Sequence, residues 1–164
     1  MKIKLVIDAD GLNAISRNTK VLKRIKNDFV ITPHSGEMAR LIGEDTAYVK
    51  KNRLSVAKSF SNNYNAVVAL KGYRTIVSSP KIQKAYINNT GNPGMATAGC
   101  GDVLTGIIGG FLAQGVRPFD AARLGVYVHG LAGDISAKQK GEAGLIAGDI
   151  LDSIPGAIKI VTSN

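Results

Sequence analysis

Apolar positions fall into two kinds of run that alternate along the chain. KIKLVID (residues 2–8), DFVIT (28–32), AVVALK (66–71), RTIVSS (74–79) and KAYIN (84–88) predict strands. The first three are unbroken apolar at their centres, the pattern of strands covered on both faces. Longer segments with helical spacing predict helices over Leu12–Ile25, Gly36–Leu41, Thr46–Asn63, Asp102–Gln114, Phe119–Gln139 and Leu145–Ile154. In the third of these, Leu54, Ala57, Phe60 and Tyr64 share one stripe. No linker or repeat interrupts the alternation, which predicts one α/β domain over residues 1–164, a layered sheet flanked by helices. Ligands of such sheets bind at the carboxyl ends of the strands.

Composition narrows the class. The 164 residues are 45% hydrophobic, with 5 prolines and 1 cysteine. That is enough chain to bury a core, and a lone cysteine forms no internal disulfide. The acids in MKIKLVIDADG break a signal-peptide pattern, and no apolar run reaches the roughly 20 residues of a membrane span. A soluble cytoplasmic protein without a membrane partner is expected. The net charge of +9 favours anionic ligands. Its basic clusters, Arg17 to Asp28 and Tyr48 to Lys58, lack interleaved aromatics and any nucleic-acid motif, so they predict solvated helix faces and no nucleic-acid partner.

Three loops after strands carry candidate chemistry. The first is GNPGMATAGCGDVLTG, Gly91 to Gly106, whose Gly99, Cys100, Gly101 and Asp102 open a helix. Backbone N–H groups at a helix N-terminus make an anion site. Gly101 to Gly106 satisfies GxxxxG, but Ile107 and Ile108 stand where a Walker loop needs Lys and Ser or Thr. Asp102 can be a helix N-cap, or a general base that takes a proton from a hydroxyl attacking a bound phosphoryl group. Cys100 has no histidine or second cysteine near it in sequence, so its backbone N–H matters more than its sulfur. The second loop is TPHSGEMARL, Thr32 to Leu41, where Ser35 can cap a helix holding Glu37, and His34 is a turn histidine. The third is LKGYRT, Leu70 to Thr75, where Gly72 permits close backbone approach and Lys71 and Arg74 bring charge, or where a hairpin simply exposes them. His129, within a helix, is expected to pack.

Together with DADGLN (Asp8 to Asn13) and YVHGLAGD (Tyr127 to Asp134), these segments resemble the nucleotide-dependent NAD(P)H-hydrate dehydratases of the ribokinase-like superfamily. NPGMATxGxGD is the most specific of them. The resemblance implies a ribokinase-like layered sheet. It implies that Asp102 is the catalytic base and touches the hydrated nicotinamide, with His34 also on that substrate. It places Gly99, Cys100 and Gly101 on the nucleotide phosphates, and Lys71, Gly72, Tyr73, Arg74 and Thr75 on the adenine nucleotide. Glu37 would stand in the second shell of Mg2+. ADP or ATP is the implied co-substrate, and NADHX or NADPHX the implied substrate. A ribokinase-like small-molecule kinase and a non-catalytic nucleotide-binding module are the alternatives.

Two departures stand out. Ala98 and Cys100 replace what is more often Gly and Thr or Ser, a mild change where backbone amides bind. Family members also carry further N-terminal strands before the one leading into DADGLN. Without them the sheet is expected to have an unpaired edge and to associate, as a homo-oligomer or with a second chain supplying that half.

Overall fold

The computed structural model describes residues 4–80 and 82–163. Five strands form one sheet in sequential order: β1 (Leu5–Ile7), β2 (Phe29–Ile31), β3 (Val67–Leu70), β4 (Ile76–Ser79) and β5 (Ile82–Ile87). The first three are parallel, β4 returns antiparallel to β3, and β5 pairs antiparallel with β4. Lys2 and Ile3 of the first predicted strand lie outside the described residues.

Strand alternation divides the core into two layers. Phe29, Ile31, Val68 and Leu70 face α1 (Ala9–Ser16), α2 (Ser35–Ile42), α3 (Thr46–Lys51) and α4 (Arg53–Tyr64). Val30, Val67, Ala69 and Val77 face α5 (Cys100–Ala113) and α6 (Pro118–Lys140), and α7 (Ala147–Thr162) packs outside them on α6. β2 and β3 are buried throughout, as their apolar runs require, but β1 is an edge strand among the described residues and leaves Leu5 exposed. Among the described residues no helix is long and apolar enough to cross a membrane.

Four predicted helices have different bounds. Leu12–Ile25 is α1 followed by a 3-10 turn at Thr19–Arg24, and its basic residues Lys20, Lys23 and Arg24 are exposed. Thr46–Asn63 breaks at Asn52, whose backbone leaves the helical region. That break turns the buried face of α4 to Val56, Ala57 and Phe60 and leaves Leu54 exposed, off the stripe expected for it. The last helix runs through Pro155, which is exposed, so the carbonyl left without an N–H partner there can meet water. α5 begins two residues before Asp102, because Gly99 adopts a left-handed conformation (φ 83°) and serves as N-cap.

Candidate active site

The carboxyl ends of β1, β2 and β3 deliver Asp8, His34 and Lys71 to one place. The Lys71 ammonium lies 2.6 Å from Asp8 Oδ1 and 3.7 Å from Glu37 Oε2. Side-chain exposures of 18% for Lys71, 8% for Asp8 and 6% for Glu37 make this a largely desolvated cluster with one more carboxylate than ammonium. Thr105, one turn into α5, donates to Asp8 Oδ2 at 3.0 Å. A Cβ on Gly101 would lie 3.4 Å from Lys71 Nζ and 3.6 Å from Asp8 Oδ2, so the start of α5 sits directly on this cluster. β3 itself is registered by Lys71 N, which donates to the Pro33 carbonyl at 2.8 Å.

His34, rather than Ser35, is the N-cap of α2. Its Nδ1 accepts the N–H groups of Gly36 at 3.0 Å and Glu37 at 3.2 Å, while Glu37 Oε2 accepts the His34 N–H at 2.7 Å. Because Nδ1 accepts, the proton sits on Nε2, which lies 3.5 Å from Glu37 Oε1. This leaves a half-exposed imidazole at the mouth of the site.

At α5 the arrangement is open. Gly99 supplies no side chain, the first intrahelical bond runs from Val103 N to the Gly99 carbonyl, and the amides of Gly101 and Asp102 precede it. Asp102 is therefore not the N-cap. It stands exposed in the first turn, beside the residue that faces Lys71. Cys100 is buried, burial pushes its thiol pKa up, and a thiol kept protonated is a poor nucleophile.

LKGYRT is a hairpin between β3 and β4 whose Leu70 is in the core, whose lysine turns inward and whose Gly72, Tyr73 and Arg74 stay out. Tyr73 is 88% exposed, Gly72 takes φ 136°, and Arg74 is left-handed at φ 55°. Sequence gave no hint that Arg53 of α4 would hold this hairpin, donating to the carbonyls of Leu70 at 3.0 Å and Tyr73. A Cβ on Gly72 would come within 3.3 Å of that guanidinium. Lys71 thus belongs to the α5 cluster, while Gly72, Tyr73, Arg74 and Thr75 form a separate outer rim.

His129 packs on α6 as expected, with Nε2 buried and unpartnered among the described residues. Burial pushes its pKa down to about 4; the Cys100 carbonyl opposes that shift and the Lys71 charge adds to it. Asp8 and Thr105 were not singled out from the sequence. The only pointer was Asp8's place in DADGLN, since its partners are 63 and 97 residues away.

Among the described residues, no group of three or more His, Cys, Asp or Glu could hold a metal. The hard oxygens of Asp8 and Glu37, with their excess negative charge, nonetheless suit Mg2+ carried in by phosphates, since that ion commonly takes one or two carboxylates and keeps waters. A cleft of about 410 Å3 bordered by α2, α4 and the 19–24 turn shares none of these residues.

Residues 2–156 match the family model described as NAD(P)H-hydrate dehydratase. The chain belongs to the NAD(P)H-hydrate dehydratase family. It is similar to the bifunctional NAD(P)H-hydrate repair enzyme Nnr of Moorella thermoacetica, at 50% identity over 94% of this chain and 29% of the relative. It also resembles the ADP-dependent (S)-NAD(P)H-hydrate dehydratase of Neisseria meningitidis, at 45% identity over 89% of this chain and 50% of the relative. The crystal structure of the ADP/ATP-dependent dehydratase from Bacillus subtilis, co-crystallized with ATP/Mg2+, superposes with a TM-score of 0.84 at 29% identity. That match covers 96% of this chain and 55% of the Bacillus protein. The chain spans between about a third and just over half of these proteins, and the fold of this family's ribokinase-like members is present over that span.

Proposed function

We propose that this chain carries the nucleotide-phosphate and base side of an ADP- or ATP-dependent dehydratase that returns NADHX or NADPHX to NADH or NADPH. The observation that carries this is the start of α5, which has no side-chain cap and whose Gly101 and Asp102 amides adjoin the largely desolvated Lys71 while an exposed carboxylate, Asp102, occupies the same turn. Gly99, Cys100 and Gly101 bind the phosphates with backbone and helix dipole, the Cys100 N–H giving up its 3.4 Å bond to the Thr97 carbonyl, and Lys71 adds a largely desolvated positive charge. The rim of Gly72 to Thr75, with exposed Tyr73, meets the nucleotide further out, and the half-exposed His34 imidazole borders the hydrated nicotinamide.

Asp102 takes the proton of the ring hydroxyl. That oxygen attacks the terminal phosphorus, and the bond to the bridging oxygen breaks, releasing AMP from ADP or ADP from ATP. The lone pair of the ring nitrogen then expels inorganic phosphate, and loss of a proton from the neighbouring carbon restores the reduced nicotinamide. Asp8 and Glu37 would hold magnesium, which when bound neutralises charge on the transferring phosphoryl group. Asp8 also fixes the Lys71 ammonium and the Thr105 hydroxyl in place, so the cluster is preorganised before a ligand arrives.

The edge position of β1 among the described residues supports a further part of the reading. The chain works as a homo-oligomer or with a second polypeptide segment beside β1, in the cytoplasm. Incubation with NADHX, Mg2+ and ADP or ATP, followed by absorbance of the reduced nicotinamide and by released phosphate, tests the activity. Release of both is expected. A stable phosphorylated alcohol without recovery of NADH would make the chain a small-molecule kinase instead, and neither product would leave a nucleotide-binding module.

A further inference from the structure

The residues that open the glycine tract, Gly91 to Met95, are far from helix α5 in their anchoring. α5 is held by Leu104, Ile108 and Leu112 in the core. The tract's start is held by α6. Asp134 Oδ2 accepts the Gly91 N–H at 2.9 Å, and its Oδ1 accepts from Asn92 Nδ2 at 3.0 Å. Asn92 Oδ1 then accepts the Gly94 N–H at 3.1 Å and caps the 3-10 turn Pro93–Met95. The same face of α6 is stripped of side chains where the tract crosses it. A Cβ on Gly130 would lie 2.2 Å from Thr90 Oγ1, and one on Gly133 would lie 2.3 Å from Met95 Sδ. On the other side, a Cβ on Gly94 would lie 2.3 Å from the Glu142 carbonyl. The tract is therefore pressed between α6 and the 142–144 turn, and one carboxylate sets its register.

We infer that Asp134 is a positioning residue of the dehydratase reaction, acting through Asn92 to hold residues 91–98 at the distance from α5 that aligns the substrate with Asp102. This rests on the activity proposed above. Asp134 has two oxygens facing two donors, an N–H of the main chain and the amide of Asn92. An asparagine at 134 can satisfy only one of them, because its own amide would face the amide of Asn92, donor against donor. A hydrogen bond to a charged group is worth about tenfold to a hundredfold in an equilibrium, enough to loosen the tract without unfolding the sheet. Because Gly101 and Asp102 lie within α5, and only the Cys100 N–H is tied back to the tract, by a 3.4 Å bond to the Thr97 carbonyl, nucleotide binding is the property least affected.

The test is a swap of the two partners. In Asp134→Asn alone, exchange of the amides in residues 91–98 should quicken about tenfold while exchange in β2 and β3 is unchanged. Turnover of NADHX should fall about tenfold to a hundredfold, with the nucleotide Kd within about threefold of the unaltered chain. In the double variant Asp134→Asn with Asn92→Asp, the asparagine oxygen again accepts from Gly91. The new carboxylate at 92 accepts from the amide at 134 and from Gly94, so exchange and turnover should both recover most of their loss. A single variant with unaltered exchange, or a double variant no better than the single, overturns the inference. If the unaltered chain shows no turnover, the proposed activity fails by itself, and the exchange measurement still decides whether Asp134 holds the tract. Should Asp134→Asn melt too low to handle, Asn92→Ala removes one of the two ties, and unaltered exchange there also overturns it.

Discussion

At the start of α2, His34 and Glu37 consume the helix's own first amides in a closed set of side-chain bonds; at the start of α5, a left-handed glycine leaves the equivalent amides with no side chain to meet them. Both helices begin beside Lys71, and both have an acid in their first turn. Only one acid is tied. Glu37 is buried and bonded to the His34 N–H, whereas Asp102 is exposed and has no cap to make. The difference separates a terminus that builds the site from one that waits for a ligand. It also explains why a carboxylate is tolerated in an anion cradle: Asp102 lies beside the amides, not across them.

The sharpest way to break this contrast is Asp102→Asn. The amide keeps shape and polarity but accepts no proton, so turnover should fall roughly a hundredfold to ten-thousandfold while nucleotide binding, by calorimetry, stays nearly intact. The matching change on the other helix, Glu37→Gln, should behave oppositely, costing stability and magnesium dependence before it costs proton transfer. A rate for Asp102→Asn within a few fold of the unaltered chain would mean that the two acids do the same job.

Lys71 joins the two helices, and its loss should show on both. Lys71→Ala removes the positive charge that faces the α5 amides and should weaken ADP or ATP by about tenfold to a hundredfold, a charge-assisted bond's worth, with much less effect on the nicotinamide substrate. It also leaves Asp8 and Glu37 buried without their counter-charge, a change that typically costs about 3 kcal/mol or more, readable as a lower melting temperature. Magnesium should recover part of that stability, because the uncovered carboxylates are oxygen donors. Equal losses for nucleotide and nicotinamide would mark a collapsed loop and remove Lys71 from the phosphate site.

Properties carried by contiguous backbone were legible in the sequence. The glycine tract, the helix it opens and the buried strands β2 and β3 depend on local conformation and on unbroken apolar runs. The partner sets were not. Asp8 reaches Lys71 and Thr105 across most of the chain, and Asp134 ties down residues 42 and 43 positions before it. Nothing local distinguishes such acids from surface ones. Ser35 is the ordinary capping residue by type, but the imidazole one position earlier has an acceptor nitrogen at the right distance and takes the role. Pro155 reads as a helix stop because it lacks an N–H, yet on an outward face the missing bond costs little.

The two histidines extend the contrast between the helices. His129 lies buried beside the Cys100 carbonyl at the open terminus, with its pKa pushed down to about 4 by burial. The folded protein therefore keeps it neutral while the unfolded chain, near the usual 6.5, takes up a proton. Its share of stability is fully present above about pH 6.5 and is lost as pH falls toward 4, by about 3 kcal/mol. His129→Gln should flatten the loss of stability across that window by a similar amount, measured by denaturant unfolding at a series of pH values. An unchanged slope would place a charged imidazole beneath α5 and contradict the burial.

The smallest effect expected is at the closed terminus. His34→Ala removes the acceptor for the Gly36 and Glu37 N–H groups and should cost about 1 kcal/mol of stability, the usual value of an N-cap. His34→Asn should recover most of it, because a short side-chain oxygen can reach the same amides from the N-cap position. If capping were the ring's whole purpose, the two variants would differ in stability and agree in turnover with the unaltered chain. The half-exposed ring, with Nε2 3.5 Å from Glu37 Oε1, predicts otherwise: both should raise the KM for NADHX, since neither presents an imidazole donor in that place, while the nucleotide Kd is unaffected. Unaltered KM in His34→Asn would confine His34 to α2 and leave the nicotinamide to be recognised from the α5 side alone.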